Sequence, residues 1–235
     1  MIPVSCIDNF YEDPDSVRDF ALSLDYYSPN KHENFPGKRT TSLFLIDENF
    51  HYFSIEKVVS SFFDSESMPE CRAYTQFQKI PTFNSDRHHP MNRGWAHKDD
   101  DFPNSTLSAV VYLNKNTCPD SGTKILSPKK GYENYNFSIE DKIIRGSLYH
   151  KHFFGDKDVD QDLYSKTIQN HNSKFDTTIE FKNVYNRLIA YDGVLWHNQS
   201  SFWVPEEYRL TQVFFIFFSE NIPFEKIPTN NLQYS

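Results

Sequence analysis

From Leu210 to Phe218 the chain reads Leu-Thr-Gln-Val-Phe-Phe-Ile-Phe-Phe. Every position from Phe214 onward is apolar, so a strand here has no face to offer to water. Such a strand belongs in the middle of a sheet that is covered on both sides. The rest of the chain has to supply flanking strands and two apolar covers.

Both are legible. Val4 to Ile7, Ala73 to Ile80, Leu107 to Leu113, Thr123 to Leu126, Thr177 to Phe181 and Arg187 to Tyr191 read as short strands separated by turn residues. Two helices precede most of them. Asp13-Pro14 gives an N-cap followed by proline at the first helical position, and Val17, Phe20, Ala21 and Leu24 then recur at helical spacing. A second helix is expected over Ser54 to Phe63, with Ile55, Val58, Val59 and Phe62 on one face. The expected class is mainly β with flanking helices (α+β), a sandwich or jelly-roll, cupin-like barrel.

At 235 residues the chain is read as one domain. Residues 1–72 form helical support and residues 73–218 a β core with an insertion at about 137–175; residues 219–235 are a polar tail. The insertion is polar, with a helical hint near Ser138 to His150. Lys and Arg number 24 against 32 Asp and Glu, a formal charge of −8, and no basic run occurs. A broad nucleic-acid footprint is therefore not expected. No apolar stretch reaches membrane-spanning length, and the N-terminus carries no leader pattern. The three cysteines are widely spaced without a CxxC, as in a reducing, cytoplasmic compartment. Exposed aromatics offer a face for a homodimer.

Three stretches carry chemistry. In His97-Lys98-Asp99, positions i and i+2 of an extended segment point to one side, so an imidazole and a carboxylate reach one ion. His197, at the end of an apolar run, offers a second imidazole. Two histidines and one carboxylate without thiolate suit Fe(II) and leave positions open for other ligands. Arg209 opens the most apolar strand, where a guanidinium needs an anionic partner, and a bidentately held carboxylate is the natural one. Thr211 points the same way. Each part alone has a plain alternative: a solvated acidic loop for Asp99, a hydrogen-bonded core histidine for His197, a structural ion pair for Arg209. Asp100 and Asp101 are alternative carboxylates that the spacing disfavours. His88-His89 and His150-Lys151-His152 read as surface segments.

The order of these motifs resembles the Fe(II)- and 2-oxoglutarate-dependent dioxygenases, in particular the prolyl-hydroxylase-like branch. Trp95-Ala-His97-Lys-Asp99 resembles the HxD strand, Val111-Tyr112-Leu-Asn-Lys115 the Tyr-Leu-Asn strand, Ser121-Gly122-Thr123 the Gly-Gly-Thr turn, and Asn186 through His197 to Arg209-Leu-Thr211 the distal half. The likeness spans roughly Ala73 to Phe218. Ile7-Asp8-Asn9-Phe10, followed by Asp13-Pro14, resembles uncharacterised bacterial and phage members. The resemblance implies a double-stranded β-helix in which His97, Asp99 and His197 ligate Fe(II). It also implies that Arg209, Tyr112 and Thr211 hold the distal carboxylate of 2-oxoglutarate, while O2 oxidises a small-molecule or peptidyl substrate with release of succinate and CO2. Ser121 and Lys124 depart from the family pattern, and Lys124 is expected to alter the pocket floor. Two other readings use the same ligands: a catalytically inactive cupin-like binding module, and a zinc-dependent hydrolase. The latter leaves Arg209 without a task.

Overall fold

The computed structural model describes residues 4–30, 33, 35–63, 68–99, 106–135 and 160–219. It is mostly antiparallel β with a few helices. In chain order the elements are β1 (Val4–Ile7), α1 (Pro14–Ser23), β2 (Lys38–Arg39), α2 (Leu43–Ile46), α3 (Glu48–Val59), β3 (Cys71–Pro81), β4 (Thr106–Tyr112), β5 (Thr123–Pro128), α4 (Gln161–Asn172), β6 (Phe175–Phe181), β7 (Leu188–Asp192), β8 (Trp196–Gln199) and β9 (Tyr208–Phe218). A six-stranded sheet runs β1-β7-β4-β9-β3-β2 and a three-stranded sheet runs β6-β5-β8.

The strand expected to be central is central: β9 pairs with β3 along its whole length and with β4 on its other side. Its alternate residues face two different covers. Leu210, Phe214, Ile216 and Phe218 join Leu107, Ala109 and Val111 of β4 in a core closed by Ala21 of α1 and Ile55, Val58 and Val59 of α3. On the opposite face of the same sheet, Tyr112, Ile189 and Tyr191 pack against Ile125, Ile179 and Phe181 of the small sheet. The two sheets thus meet across an apolar interior.

Phe77 of β3 sits fully buried in the helix-side core, edge-on to Phe20 at 5.9 Å and stacked on Phe50 at 6.2 Å. Phe77→Ala leaves a cavity between sheet and helices and is expected to cost about 3–5 kcal/mol. A urea titration checks this as a lowered midpoint with an unchanged slope.

Several boundaries differ from expectation for identifiable reasons. The second helix starts at Glu48 rather than Ser54, because the Asp47 carboxylate accepts from Phe50 N at 2.9 Å and caps it. The insertion contains α4, capped by Asp160, and its burial of Tyr164, Ile168 and His171 is a thin apolar stripe on a polar helix. The helical hint at 138–150, His150-Lys151-His152 and the tail beyond Ser219 lie outside the described residues. Residues 1–72 do more than supply helices, since β1 and β2 are the two edge strands of the large sheet. The segment after β1 is tied down by Asn186, whose amide accepts from Tyr11 N at 2.9 Å and donates to Tyr11 O at 2.8 Å.

Candidate active site

The turn after β7 builds one half of the site. Asp192 accepts from Val194 N at 3.1 Å, and Gly193 lets the chain swing from the large sheet into β8 of the small one. A Cβ at Gly193 would press on Thr106 at 3.1 Å and on the Asp99 carbonyl at 3.2 Å. That carbonyl belongs to the other half, because Asp99 N donates to Gly193 O at 2.8 Å. Two residues earlier, His97 and His197 exchange backbone hydrogen bonds of 2.9 Å in each direction. Their rings stand side by side with centroids 4.3 Å apart.

The side chains converge. Asp99 Oδ1 is 3.8 Å from His97 Nε2, and Asp99 Oδ2 is 3.4 Å from His197 Nε2. The three potential ligand atoms lie within 4.8 Å of one another, and among the described residues no other cluster of this type occurs. Each Nδ1 faces a carbonyl two residues back: Trp95 O at 2.7 Å from His97 and Leu195 O at 2.8 Å from His197. A carbonyl only accepts, so both Nδ1 atoms carry a proton, and both Nε2 atoms turn toward Asp99. Ser108 Oγ donates to Asp99 Oδ2 at 2.6 Å and fixes the carboxylate. Burial alone would raise the Asp99 pKa, but His197, His97 and Ser108 outweigh it and hold the group below the ordinary carboxylate range. Burial would lower His197; the Asp99 charge reverses this and raises it. Asp100 and Asp101 lie outside the described residues.

Arg209 and Thr211 project from β9 onto this interior face. Arg209 is 2% exposed, its Nε donates to Ser121 O at 3.0 Å, and its guanidinium lies 5.2 Å from the Tyr112 ring. Burial lowers its pKa, and Tyr112 is the main opposing influence. Among the described residues no carboxylate pairs with it. Thr211 is fully buried and its Oγ1 has no hydrogen-bond partner. Tyr112 sits opposite Thr211 in register, and its hydroxyl donates to Thr123 Oγ1 at 2.9 Å. A buried cation without an anion beside a buried hydroxyl without a partner is costly unless a ligand completes both. A carboxylate supplies what each lacks.

The Ser121-Gly122 turn holds the Arg209 acceptor in place, since a Cβ at Gly122 would collide with the Phe181 carbonyl. Lys124 does not reach the pocket floor as expected. It alternates away from Thr123 and Ile125, onto the outer face of the small sheet, where with Arg87, Arg93 and Asn198 it lines a separate cavity of about 350 Å³. His88 is exposed on the rim of that cavity. Trp95 is a packing group, edge-on to Tyr164 at 6.1 Å. Ser108 escapes a reading of the sequence because a serine inside a strand carries no signal.

A family model described as "Family of unknown function (DUF6445)" matches residues 1–211. The chain belongs to this family. No curated protein matches the DUF6445 chain. Solved structures with a similar fold include HygX from Streptomyces hygroscopicus with nickel, 2-oxoglutarate and hygromycin B bound; it is 12% identical, with 93% of this chain and 84% of that one covered at a TM-score of 0.57. The epimerase SnoN in complex with Fe3+, alpha-ketoglutarate and nogalamycin RO is 9% identical, over 98% and 87% of the two chains, with a TM-score of 0.54. EvdO2 from Micromonospora carbonacea var. aurantiaca is 12% identical, over 95% and 91%, with a TM-score of 0.52. Among the described residues no helix is long and apolar enough to cross a membrane.

Proposed function

We propose that this chain is a non-haem Fe(II)- and 2-oxoglutarate-dependent oxygenase, a hydroxylase on a double-stranded β-helix of the prolyl-hydroxylase-like kind. In this reading residues 1–235 form one cytoplasmic domain and the substrate is a small molecule or a peptidyl side chain. The observation that carries the proposal is the shared interior face. Two imidazoles whose Nε2 atoms turn toward one fixed carboxylate stand on the same side of the sheet as a buried, anion-free guanidinium and an unpartnered hydroxyl. A metal site alone does not ask for Arg209; a metal site with a dicarboxylate co-substrate does. The proteins of like fold whose structures hold a metal with 2-oxoglutarate support the same reading.

His97, Asp99 and His197 would hold Fe(II), and mixed N/O ligation is what that ion prefers. When bound, iron and 2-oxoglutarate supply O2 activation coupled to decarboxylation, with succinate and CO2 as products. The remaining work falls on the chain. The Trp95 and Leu195 carbonyls fix the two rings and raise their basicity as ligands. Ser108 keeps Asp99 in one rotamer. Arg209 and Thr211 bind the distal carboxylate, with Tyr112 closing the wall behind it. Ile125, Ile189 and Tyr191 keep water from the interior.

The test is an anaerobic titration with Fe(II) and 2-oxoglutarate, followed in the visible range. A weak charge-transfer band that needs both components is expected. Folded protein that binds metal without such a band would favour the zinc hydrolase or the inactive module. Thr211→Val separates co-substrate binding from stability. It removes an unsatisfied buried hydroxyl and keeps the shape, so the free protein is expected to be equally or more stable. The 2-oxoglutarate concentration that half-saturates the band is expected to rise about tenfold, the equivalent of roughly 1.4 kcal/mol. Thermal melts and the titration read the two effects independently.

A further inference from the structure

Arg39 is a second cation on the interior face of the large sheet. Its strand β2 pairs with β3, placing Arg39 opposite Gln78, which in turn is opposite Thr211 of β9. Directly opposed residues in an antiparallel sheet share a face. The guanidinium reaches between two rings, with its carbon 4.3 Å from the centre of Phe35 and 5.4 Å from that of Phe215. Its Nε is buried with no hydrogen-bond partner, and among the described residues the side chain forms no ion pair. Ring faces attract a cation, but they leave the buried Nε–H unmet. The main chain of Arg39 is held by Tyr27 through hydrogen bonds of 2.8 and 3.0 Å, so the residue sits on a fixed edge rather than a loose loop.

The Arg39 backbone is level with Thr211, but its guanidinium reaches along the sheet to Phe215, away from Arg209. Phe215 pairs with Ser108 across β4 and β9, and Ser108 is the residue that holds Asp99. Phe215 stands six residues along β9 from Arg209, roughly 20 Å at strand spacing. The Arg39 guanidinium therefore lies on the metal side of the interior, beside the partly buried Phe215. Burial pushes its pKa down to about 10, with the Asp99 charge acting against that, so it stays protonated at neutral pH.

We propose that Arg39 binds a carboxylate of the oxidised substrate, so that the substrate class is a monoanionic carboxylic acid held against Phe35 and Phe215 beside the metal site. The charge count argues for a monoanion. One guanidinium neutralises one carboxylate, whereas a phosphate dianion would leave excess negative charge near Asp99 and the bound co-substrate. The planar fork of Arg fits a carboxylate bidentately. The proposal rests on the oxygenase reading above.

The experiment uses the full chain loaded anaerobically with Fe(II) and saturating 2-oxoglutarate. Proton relaxation of phenylacetate, phenylacetamide and phenyl phosphate is measured by NMR, with the paramagnetic ion reporting nearness to the site. Phenylacetate is expected to show metal-dependent relaxation that Arg39→Ala weakens at least tenfold in apparent Kd and Arg39→Lys partly restores. The iron–co-substrate band is expected to be the same in all three proteins, which also reports that the variants fold. Equal binding of the neutral amide, preference for phenyl phosphate, no phenylacetate binding by the wild type, or unchanged binding by Arg39→Ala would each overturn the proposal. So would a raised 2-oxoglutarate requirement in Arg39→Ala, which would make Arg39 part of the clamp. Absence of the band in the wild type would instead overturn the oxygenase reading.

Discussion

Asp99→Ala is expected to abolish turnover and to weaken Fe(II) binding more than the roughly 10–100-fold that loss of a supporting outer group costs. Asp99 is the only carboxylate in the cluster and stands between both histidines, 3.8 and 3.4 Å from their Nε2 atoms. Without it the site has two neutral imidazoles and no charge to offset the cation. His197→Ala is expected to behave likewise and to remove the visible band. The two variants differ in stability. In the metal-free protein, removing Asp99 takes away a buried charge but also the anion that raises His197, whereas removing His197 leaves Asp99 buried with a weaker partner set. His197→Ala is therefore expected to be the less stable of the two, and thermal melts without metal check the order. Full 2-oxoglutarate turnover by Asp99→Ala would sink the assignment of all three ligands.

Arg209→Met is expected to raise the 2-oxoglutarate requirement by about 10²–10³-fold while leaving Fe(II) binding intact. Truncating one partner of a buried, charge-assisted pair costs about 2–5 kcal/mol. The cost appears only when the ligand is present. In the free protein Arg209 is a buried cation without an anion, and methionine fills similar space without that burden. The melting temperature without ligand is expected to hold or rise, and the stabilisation on adding 2-oxoglutarate to disappear. A structural ion pair would give the opposite pattern, with loss of stability and no change in the titration.

The sequence revealed most where one residue had few ways to be satisfied. An apolar run such as Phe214–Phe218 has one home in a sheet, and β9 occupies it. His97 and Asp99 stood out by their i, i+2 spacing, and His197, Arg209 and Thr211 by their places at or in apolar runs; the ligand atoms of the first three lie within 4.8 Å of one another, and Arg209 and Thr211 stand on β9. Ser108 and Arg39 were not legible, since a strand serine and an arginine at the end of a polar stretch have many ordinary roles. The strand β8 was hidden because Trp196–Gln199 is mostly polar, and only two of its four residues are buried. In α4 a single stripe of Tyr164, Ile168 and His171 was too thin to stand out from a polar insertion.

The two edge strands taken from the first forty residues bear on how the chain folds and how it fails. β1 pairs with β7, close to the far end of the sequence, with Val4 opposite Tyr191 and Ile7 opposite Leu188. The large sheet therefore closes only after a very long loop has been bridged, which slows folding relative to a sheet of local hairpins. Until then β7 presents bare amides and carbonyls beside a run of buried apolar residues, Leu188 to Tyr191. An exposed edge of that kind recruits other strands. The Tyr11–Asn186 clasp holds the segment after β1 in place beside that edge. Chains lacking the first dozen residues should accumulate as aggregates even though every proposed metal ligand is present.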